Sequence, residues 1–401
     1  MRQNVVTGID VGTSAVRVVV AIGAQDDVNP RVIAAVSRES HGLRHGYIVN
    51  IEEATESIKE AIKAAEQAAS VKIGRAFVSI GGMSLTSLNG EASVNIPEGK
   101  EVEASDVDRA MKSAEENLKR AENFKIIHVV PLSYKLDGKK VLGKPNGMMG
   151  KTLEVRALFV VCLEQHFKNM MNAVSAAGID IEDVVASPLA AGLVTLTKLQ
   201  RMAGCVLANI GAETVSIAVY ENNNPVYVHA FPIGSVDITN DIALGFRIPI
   251  EDAEKVKTHR QDNQYPKKKL DEIIMARLSD IFELIEAHLK KIGRNGLLPA
   301  GIVITGGGSS LEMIEALAKS SLKIPAKIAT ILFPKGTETA RSVASSPSVP
   351  KSPFPVRDSS WAVAYGLCII GLKTEAEEVM SLKTLKQTKN FILEWLKQFL
   401  P

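Results

Sequence analysis

Three features predict an α/β fold of two similar lobes. Strand-like apolar runs alternate with helical runs along the 401 residues, the pattern of layered α/β proteins. Two strand-turn-strand passages, VVTGIDVGTSAVRVVVAI and CVLANIGAETVSIAVY, echo each other in distant parts of the chain, each turning on small residues after Asp10 or Asn209. Two Ala- and Gly-rich helical runs, SPLAAGLVTLTKL and SSWAVAYGLCIIGLK, form a second matched pair. Duplication, with one copy per lobe, accounts for both echoes, and a chain of this length suits two or more packed lobes.

Composition narrows the class. With 46% apolar residues and a net charge of +2, the chain is globular and lacks the concentrated basic excess of a nucleic-acid binder. Its apolar runs VRVVVAI and ALFVVCL are far shorter than the ~20 residues of a spanning helix, and MRQNVVTGID enters a strand pattern with no signal-peptide core. A soluble, cytoplasmic protein is the expectation. Cys162, Cys205 and Cys368 sit singly in apolar runs, as buried reduced thiols do, without metal-ligand or disulfide spacing.

After the first hairpin, EEATESIKEAIKAAEQAAS reads as a helix and FVSIGG as a return to the sheet. A stretch with its own rhythm follows: a strand near Leu85 to Ile96, a helix from an N-capping Ser105 to about Glu122, then strands KIIHVVPLSYKL and LEVRALFVVCL. It reads as a compact insert in the first lobe. HFKNMMNAVSAAG is a helix closed by Gly178. In the second lobe, EDAEKVKTHR and KKKLDEIIMARLSDIFELIEAHLKKIG are helical and precede AGIVITGGGSSLEMIEALAKS. The Pro/Ser-rich SVASSPSVPKSPFPV is a loop, and the polar run after Lys373 reads as a linker.

The motifs suggest phosphate chemistry. A tight hairpin turn of small residues exposes backbone N–H groups that can cradle a phosphate; Gly12, Thr13 and Ser14 supply one after Asp10, whose carboxylate is suited to hold Mg²⁺ through water. Arg17 is either a phosphate contact or a solvated strand residue. In ITGGGSSLEMI, Gly306, Gly307 and Gly308 follow an apolar strand and precede a helix start, which lets the backbone approach a base or phosphate closely. A first hairpin, a crossing helix, a second hairpin, a Gly-triplet turn and a second crossing helix, in that order, resemble the actin-like ATPase fold.

Four longer passages narrow the resemblance: GLRHGYIVNIEEATESIKEAIKAAEQ, HVVPLSYKLDGKKVLGKPNGMMGKTLEVRALFVV, FPIGSVDITNDIALGFRIPIEDAEKVK and AGIVITGGGSSL. Together they resemble FtsA, the bacterial actin-like cell-division family. The resemblance implies duplicated RNase H-like domains binding ATP and Mg²⁺ in the cleft: subdomain 1A at 1–80 and 163–200 with a crossing helix at 358–372, a 1C insert at 81–162, subdomain 2A at 201–240 and 298–357, and 2B at 241–297. A linker at 373–388 and an amphipathic helix at 389–401 follow. By the family pattern Gly12 to Ser14 and Gly211, Ala212, Glu213 and Thr214 face the phosphates, Gly234 lies close by, and Gly306 to Gly308 face the nucleoside. Glu254 and Lys257, one helical turn apart, match ribose- and base-side positions or form a surface ion pair.

The second hairpin departs from the usual Asp-Ile-Gly-Gly-Gly-Thr. Asn209 has no carboxylate to orient a metal-bound water, and Glu213 brings negative charge toward the phosphates unless it turns away. Binding with at most slow hydrolysis is therefore expected. A small-molecule kinase on this fold would need a catalytic base that Asn209 does not offer. A related pilus-assembly adaptor is the other alternative, and it would need no amphipathic anchor of its own. The family's role implies a scaffold on the cytoplasmic face of the membrane at the division site. It would self-assemble into filaments, bind the C-terminal tail of FtsZ around Ile242 to Gly293, and recruit other division proteins through the insert.

Phe391, Ile392, Trp395, Leu396, Phe399 and Leu400 recur at three- and four-residue spacing and form one apolar stripe, with Lys389, Glu394, Lys397 and Gln398 opposite. A cationic amphipathic helix with Trp and Phe on its apolar face lies flat in a membrane interface. Preceded by a polar run, it is expected to be an anchor to an anionic membrane surface rather than a core helix.

Overall fold

A computed structural model describes residues 4–23, 30–118, 123–258, 265–332 and 358–381, with 374–381 described by backbone alone. The tail residues singled out above, Lys389 to Leu400, lie outside the described residues.

The first lobe opens with the antiparallel pair β1 (Asn4–Val11) and β2 (Ala15–Gly23), then β3 (Arg31–Glu39), a small hairpin β4 (Leu43–Arg44) and β5 (Tyr47–Ile48), helix α1 (Ile51–Ala69) and β6 (Arg75–Ile80). Helix α1 starts where Asn50 Oδ1 accepts the Glu53 N–H at 3.2 Å. It buries Ile58, Ala61, Ile62 and Ala65, one stripe at helical spacing.

The insert follows: β7 (Thr86–Asn95), α2 (Ala104–Glu116), β8 (Phe124–Leu136), β9 (Lys139–Val141) and β10 (Thr152–Leu163). The expected Ser105 cap is corrected to Glu103. Asp106 reaches back to take the Glu103 N–H at 2.9 Å, so the helix begins two residues earlier than a Ser105 cap implies. It ends at Glu116, not near Glu122, because Asn117 turns out to donate to the Glu91 carbonyl at 3.2 Å. At Gly90 the helix passes so closely that a Cβ would come within 2.6 Å of the Ala114 carbonyl.

The chain then returns to the first lobe through α3 (Glu164–Ala176), β11 (Asp180–Ala186) and α4 (Ser187–Thr195), and a short α5 (Lys198–Ala203) leads to the second lobe. There β12 (Cys205–Ile210), β13 (Val215–Glu221) and β14 (Asn224–Phe231) precede α6 (Ser235–Phe246), α7 (Ile250–Thr258) and the long α8 (Lys267–Lys291). Next come β15 (Ile302–Thr305), a 3-10 turn at Gly307–Ser310, α9 (Ile314–Leu322) and β16 (Ala326–Ile328). Helix α10 (Ala362–Ser381) closes the described chain.

Strand order exposes the duplication. The first sheet runs β3-β2-β1-β6-β11 and the second lobe's strands run β14-β13-β12-β15-β16, each a three-stranded meander followed by two parallel strands. The insert strands extend the second sheet through a single β7–β14 bridge, His229 to Thr86, with Ser87 Oγ accepting the Val228 N–H at 2.9 Å. Helices α1 and α3 cover one face of the first sheet, and α8 and α9 one face of the second. Helices α4 and α10 occupy the central core between the lobes. A Cβ on Gly366 would overlap the Ala190 carbonyl, and one on Gly8 the Ala364 carbonyl, so the small residues are what let these backbones cross. Cys162, Cys205 and Cys368 are buried free thiols. Helix α10 continues to Ser381, so the segment expected to be a linker from 373 begins helical; Glu, Ala and Met in TEAEEVMS are good helix formers that prolong it beyond the crossing.

Two histidines lock the insert base and give the fold a pH dependence. His128 of β8 is buried and accepts the Ala186 N–H on Nε2 at 3.0 Å, and burial holds its pKa down at about 3. His166 of α3, buried beside Ser84, is held at about 4 for the same reason. Both folded values lie below the unfolded one of ~6.5, so the unfolded chain takes up protons that the native state refuses. Their stabilisation is full above ~6.5 and falls as pH drops toward the folded values. Each histidine is expected to cost about 2 kcal/mol between pH 7 and pH 5. Urea unfolding at both pH values checks this. His128→Gln, which does not titrate, should remove roughly half of the difference.

Candidate functional site

The two hairpin turns face each other across the cleft between the lobes. In each, the first glycine closes the turn: Gly12 N–H donates to Ala15 O at 3.1 Å and Gly211 N–H to Thr214 O at 2.8 Å. The N–H groups of Thr13, Ser14, Ala212 and Glu213 take no part in those closing bonds. The cleft is lined by Asp10, Gly12, Thr13, Ser14, Arg17, Asn209, Gly211, Ala212, Thr214, Gly306 and Gly307. First residues of two helices, Ser187 of α4 and Ser235 of α6, line it too, as does Val363 in the first turn of α10. Three helix N-termini therefore turn their positive dipole ends toward one space, which suits an anion.

Asp10 accepts from Ser79 Oγ at 2.6 Å and faces Arg17 across the β1–β2 pair. Burial pushes its carboxyl above the ordinary carboxylate range, against the pull of the Ser79 hydrogen bond and the Arg17 charge. A carboxylate disfavoured by desolvation gains most from a nearby cation.

The Gly triplet divides its work. Gly306 has a left-handed φ of +88°, and a Cβ there would overlap the Asn209 side-chain oxygen. Gly308 sits 2.5 Å, by the same measure, from Ile210 Cγ2. Gly307 has nothing within 4 Å and faces open space. The helix start expected immediately after the triplet is a 3-10 turn, with α9 beginning only at Ile314.

Five of the residues singled out in the sequence, Gly308, Glu213, Gly234, Glu254 and Lys257, lie away from the cleft lining. Gly234 packs against Ala212, and Ser235 and Val236 donate to Gly211 O and Ala212 O at 3.0 and 2.8 Å, so α6 is docked on the second turn. Lys257 is 7% exposed; its ammonium meets Glu254 at 2.6 Å, Thr239 Oγ1 at 2.8 Å and Ser235 O at 3.1 Å. It is a buried support beneath the first turn of α6 rather than a surface pair. Glu213 turns away from the cleft, its carboxylate accepting the His45 N–H at 2.5 Å. Gly46, Gly81, Gly82, Ser187 and Ser360 line the cleft and were not selected from sequence. Only the GG of FVSIGG and the serines opening the two crossing helices hint at them.

Two nucleotide-cradle turns on duplicated lobes, joined by crossing helices, define an actin-like ATPase fold. Solved structures agree: the PilM–PilN type IV pilus biogenesis complex is similar at 19% identity and a TM-score of 0.65, covering 92% of this chain and 98% of that one. MreB5 of Spiroplasma citri, solved with AMPPNP, is similar at 14% identity and a TM-score of 0.55, covering 95% and 99%. The chain belongs to the cell division protein FtsA family: it is 30% identical to FtsA of Bacillus subtilis over 80% of this chain and 78% of that one, and 28% identical to FtsA of Pseudomonas aeruginosa over 93% and 91%. The family model for cell division protein FtsA matches residues 206–366, and that for the SHS2 domain inserted in FtsA matches residues 82–161. Among the described residues no helix is long and apolar enough to cross a membrane.

Proposed function

We propose that this chain is an ATP-binding cell-division scaffold that assembles into filaments on the cytoplasmic face of the membrane and holds FtsZ there. The observation that carries the reading is the pair of small-residue turns set face to face beneath three helix N-termini, in a chain of the FtsA family. With Gly12 and Gly211 closing the two turns, the remaining backbone N–H groups of Gly12 to Ser14 and Gly211 to Thr214 cradle the phosphates, and Arg17 adds a cation. Gly307 gives the nucleoside room. Asp10 holds Mg²⁺ through water, and the metal neutralises phosphate charge that the turns alone leave uncompensated. Asn209 supplies no carboxylate to orient an attacking water, so turnover is slow and binding is the functional event.

The surface around Ile242 to Gly293 receives the FtsZ C-terminal tail; Leu244 and Ile250 are exposed apolar side chains there. The insert at 81–162 recruits other division proteins, and its exposed Leu142 and Met149 are available for contact. The segment 389–401 supplies the membrane anchor. Calorimetric titration of the full chain with Mg·ATP, followed by a peptide of the FtsZ tail, tests the first two elements. Saturable binding of both is expected, and failure of ATP to bind would overturn the reading. A pilus adaptor would instead keep its membrane recruitment after removal of 389–401.

A further inference from the structure

We propose that Glu213 is an internal clasp that holds the lobes together at the phosphate end of the cleft in the absence of nucleotide, and that it slows nucleotide exchange. Only the second half rests on the ATP-binding reading above.

Glu213 belongs to the β12–β13 turn of the second lobe, and His45 to the β4–β5 turn of the first. The Glu213 carboxylate accepts the His45 N–H at 2.5 Å, and the Glu213 carbonyl lies 3.2 Å from His45 Nδ1. Two bonds thus cross from lobe to lobe beside Gly46 and Ala212, both of which line the cleft. A hydrogen bond to a carboxylate is roughly twice as strong as a neutral one.

The receiving turn is held firmly. His45 and Gly46 are both left-handed, at φ +48° and +77°, as a two-residue hairpin turn requires. Gly46 N–H donates to Thr13 Oγ1 at 3.2 Å in the first phosphate turn. His45 O accepts the Met83 N–H at 3.3 Å at the insert base, and the Tyr47 ring lies 4.6 Å from the buried His166 ring. Pulling on His45 therefore pulls on the first phosphate turn and the insert base.

Where actin-like ATPases usually carry glycine, this chain places a carboxylate that ties the two turns directly. A bound phosphate contacting both turns would bridge the lobes in the same way; here the chain carries its own anion for that purpose. Such a clasp would bridge the turns without help from a nucleotide, and the cleft would have to break it to open.

The test places donor and acceptor dyes on the full chain through Lys59→Cys on α1 and Glu283→Cys on α8, the native cysteines being buried. Energy transfer without nucleotide should equal that with ATP. Glu213→Ala should lower it, ATP should restore it, and release of a fluorescent ATP analogue should quicken about tenfold. Glu213→Gln, which keeps an acceptor oxygen, should fall between; His45→Asn, which keeps the N–H and tolerates the left-handed backbone, should stay mostly closed. A nucleotide-free parent as open as Glu213→Ala, or an Ala variant that stays closed, would overturn the proposal. Failure of the parent to bind ATP would strike the functional reading instead, because the nucleotide-free distance still reports on the clasp.

Discussion

Gly307→Val is expected to weaken ATP binding about tenfold to a hundredfold while leaving the fold intact. A Cβ at Gly307 meets nothing within 4 Å, so the side chain has room in the protein itself. That room is the cleft, and branched carbons placed there compete with the nucleoside; forcing such atoms into an occupied space costs ~1–3 kcal/mol, which is the stated loss of affinity. Gly306→Val behaves differently. Its φ of +88° and the overlap with Asn209 make the residue intolerable to the backbone, so both stability and binding fall. Calorimetric titration paired with thermal unfolding separates the two variants. Unchanged ATP affinity in Gly307→Val would remove the triplet from the site.

Trp395→Glu is expected to release the chain from anionic vesicles almost completely. Burying each large apolar side chain of the stripe contributes at most ~1.5–3 kcal/mol, and ordering each residue of the helix costs ~1–2 kcal/mol before helix hydrogen bonds and lipid charge offset it. The surplus is small, so a single copy is expected to bind weakly. Removing the largest ring and adding a charge erases that surplus. Filaments presenting many copies would bind by avidity, so the loss should be steepest below the assembly concentration. Co-sedimentation with vesicles across a concentration series reads this, and a Trp395→Glu protein that pellets like its parent would end the membrane assignment.

Much of this architecture was legible because it is written in local pattern. The paired hairpins after Asp10 and Asn209, the Gly triplet at 306–308 and the Ala/Gly helices later seen to cross at Ala190 and Gly366 each carry their constraint in adjacent residues. The rest depends on segments distant in the chain. Nothing in RHGY says that Gly46 will line the cleft, since its place is set by Thr13, Gly82 and Glu213. The orientation of Glu213 was an open question in the sequence and is decided by an N–H far away in the first lobe. Lys257 could be read as a nucleoside-side residue or as half of a surface pair, because helical spacing carries no information about the α6 turn that buries it. Ser105 lost the capping role to Glu103 because the Asp106 carboxylate reached the earlier N–H.

The Glu213 contact also refines the electrostatics of the phosphate site. A carboxylate aimed between the turns would repel phosphate; bound to His45 it lies aside, while residues of the first turns of α4, α6 and α10 line the cleft.

The scaffold claim is tested most directly by co-sedimentation with anionic vesicles and negative-stain microscopy in Mg·ATP, comparing the full chain with one cut before Lys389. Membrane-bound filaments from the full chain, and none on vesicles from the shortened one, are the expected result. A soluble monomer in both samples would contradict the account.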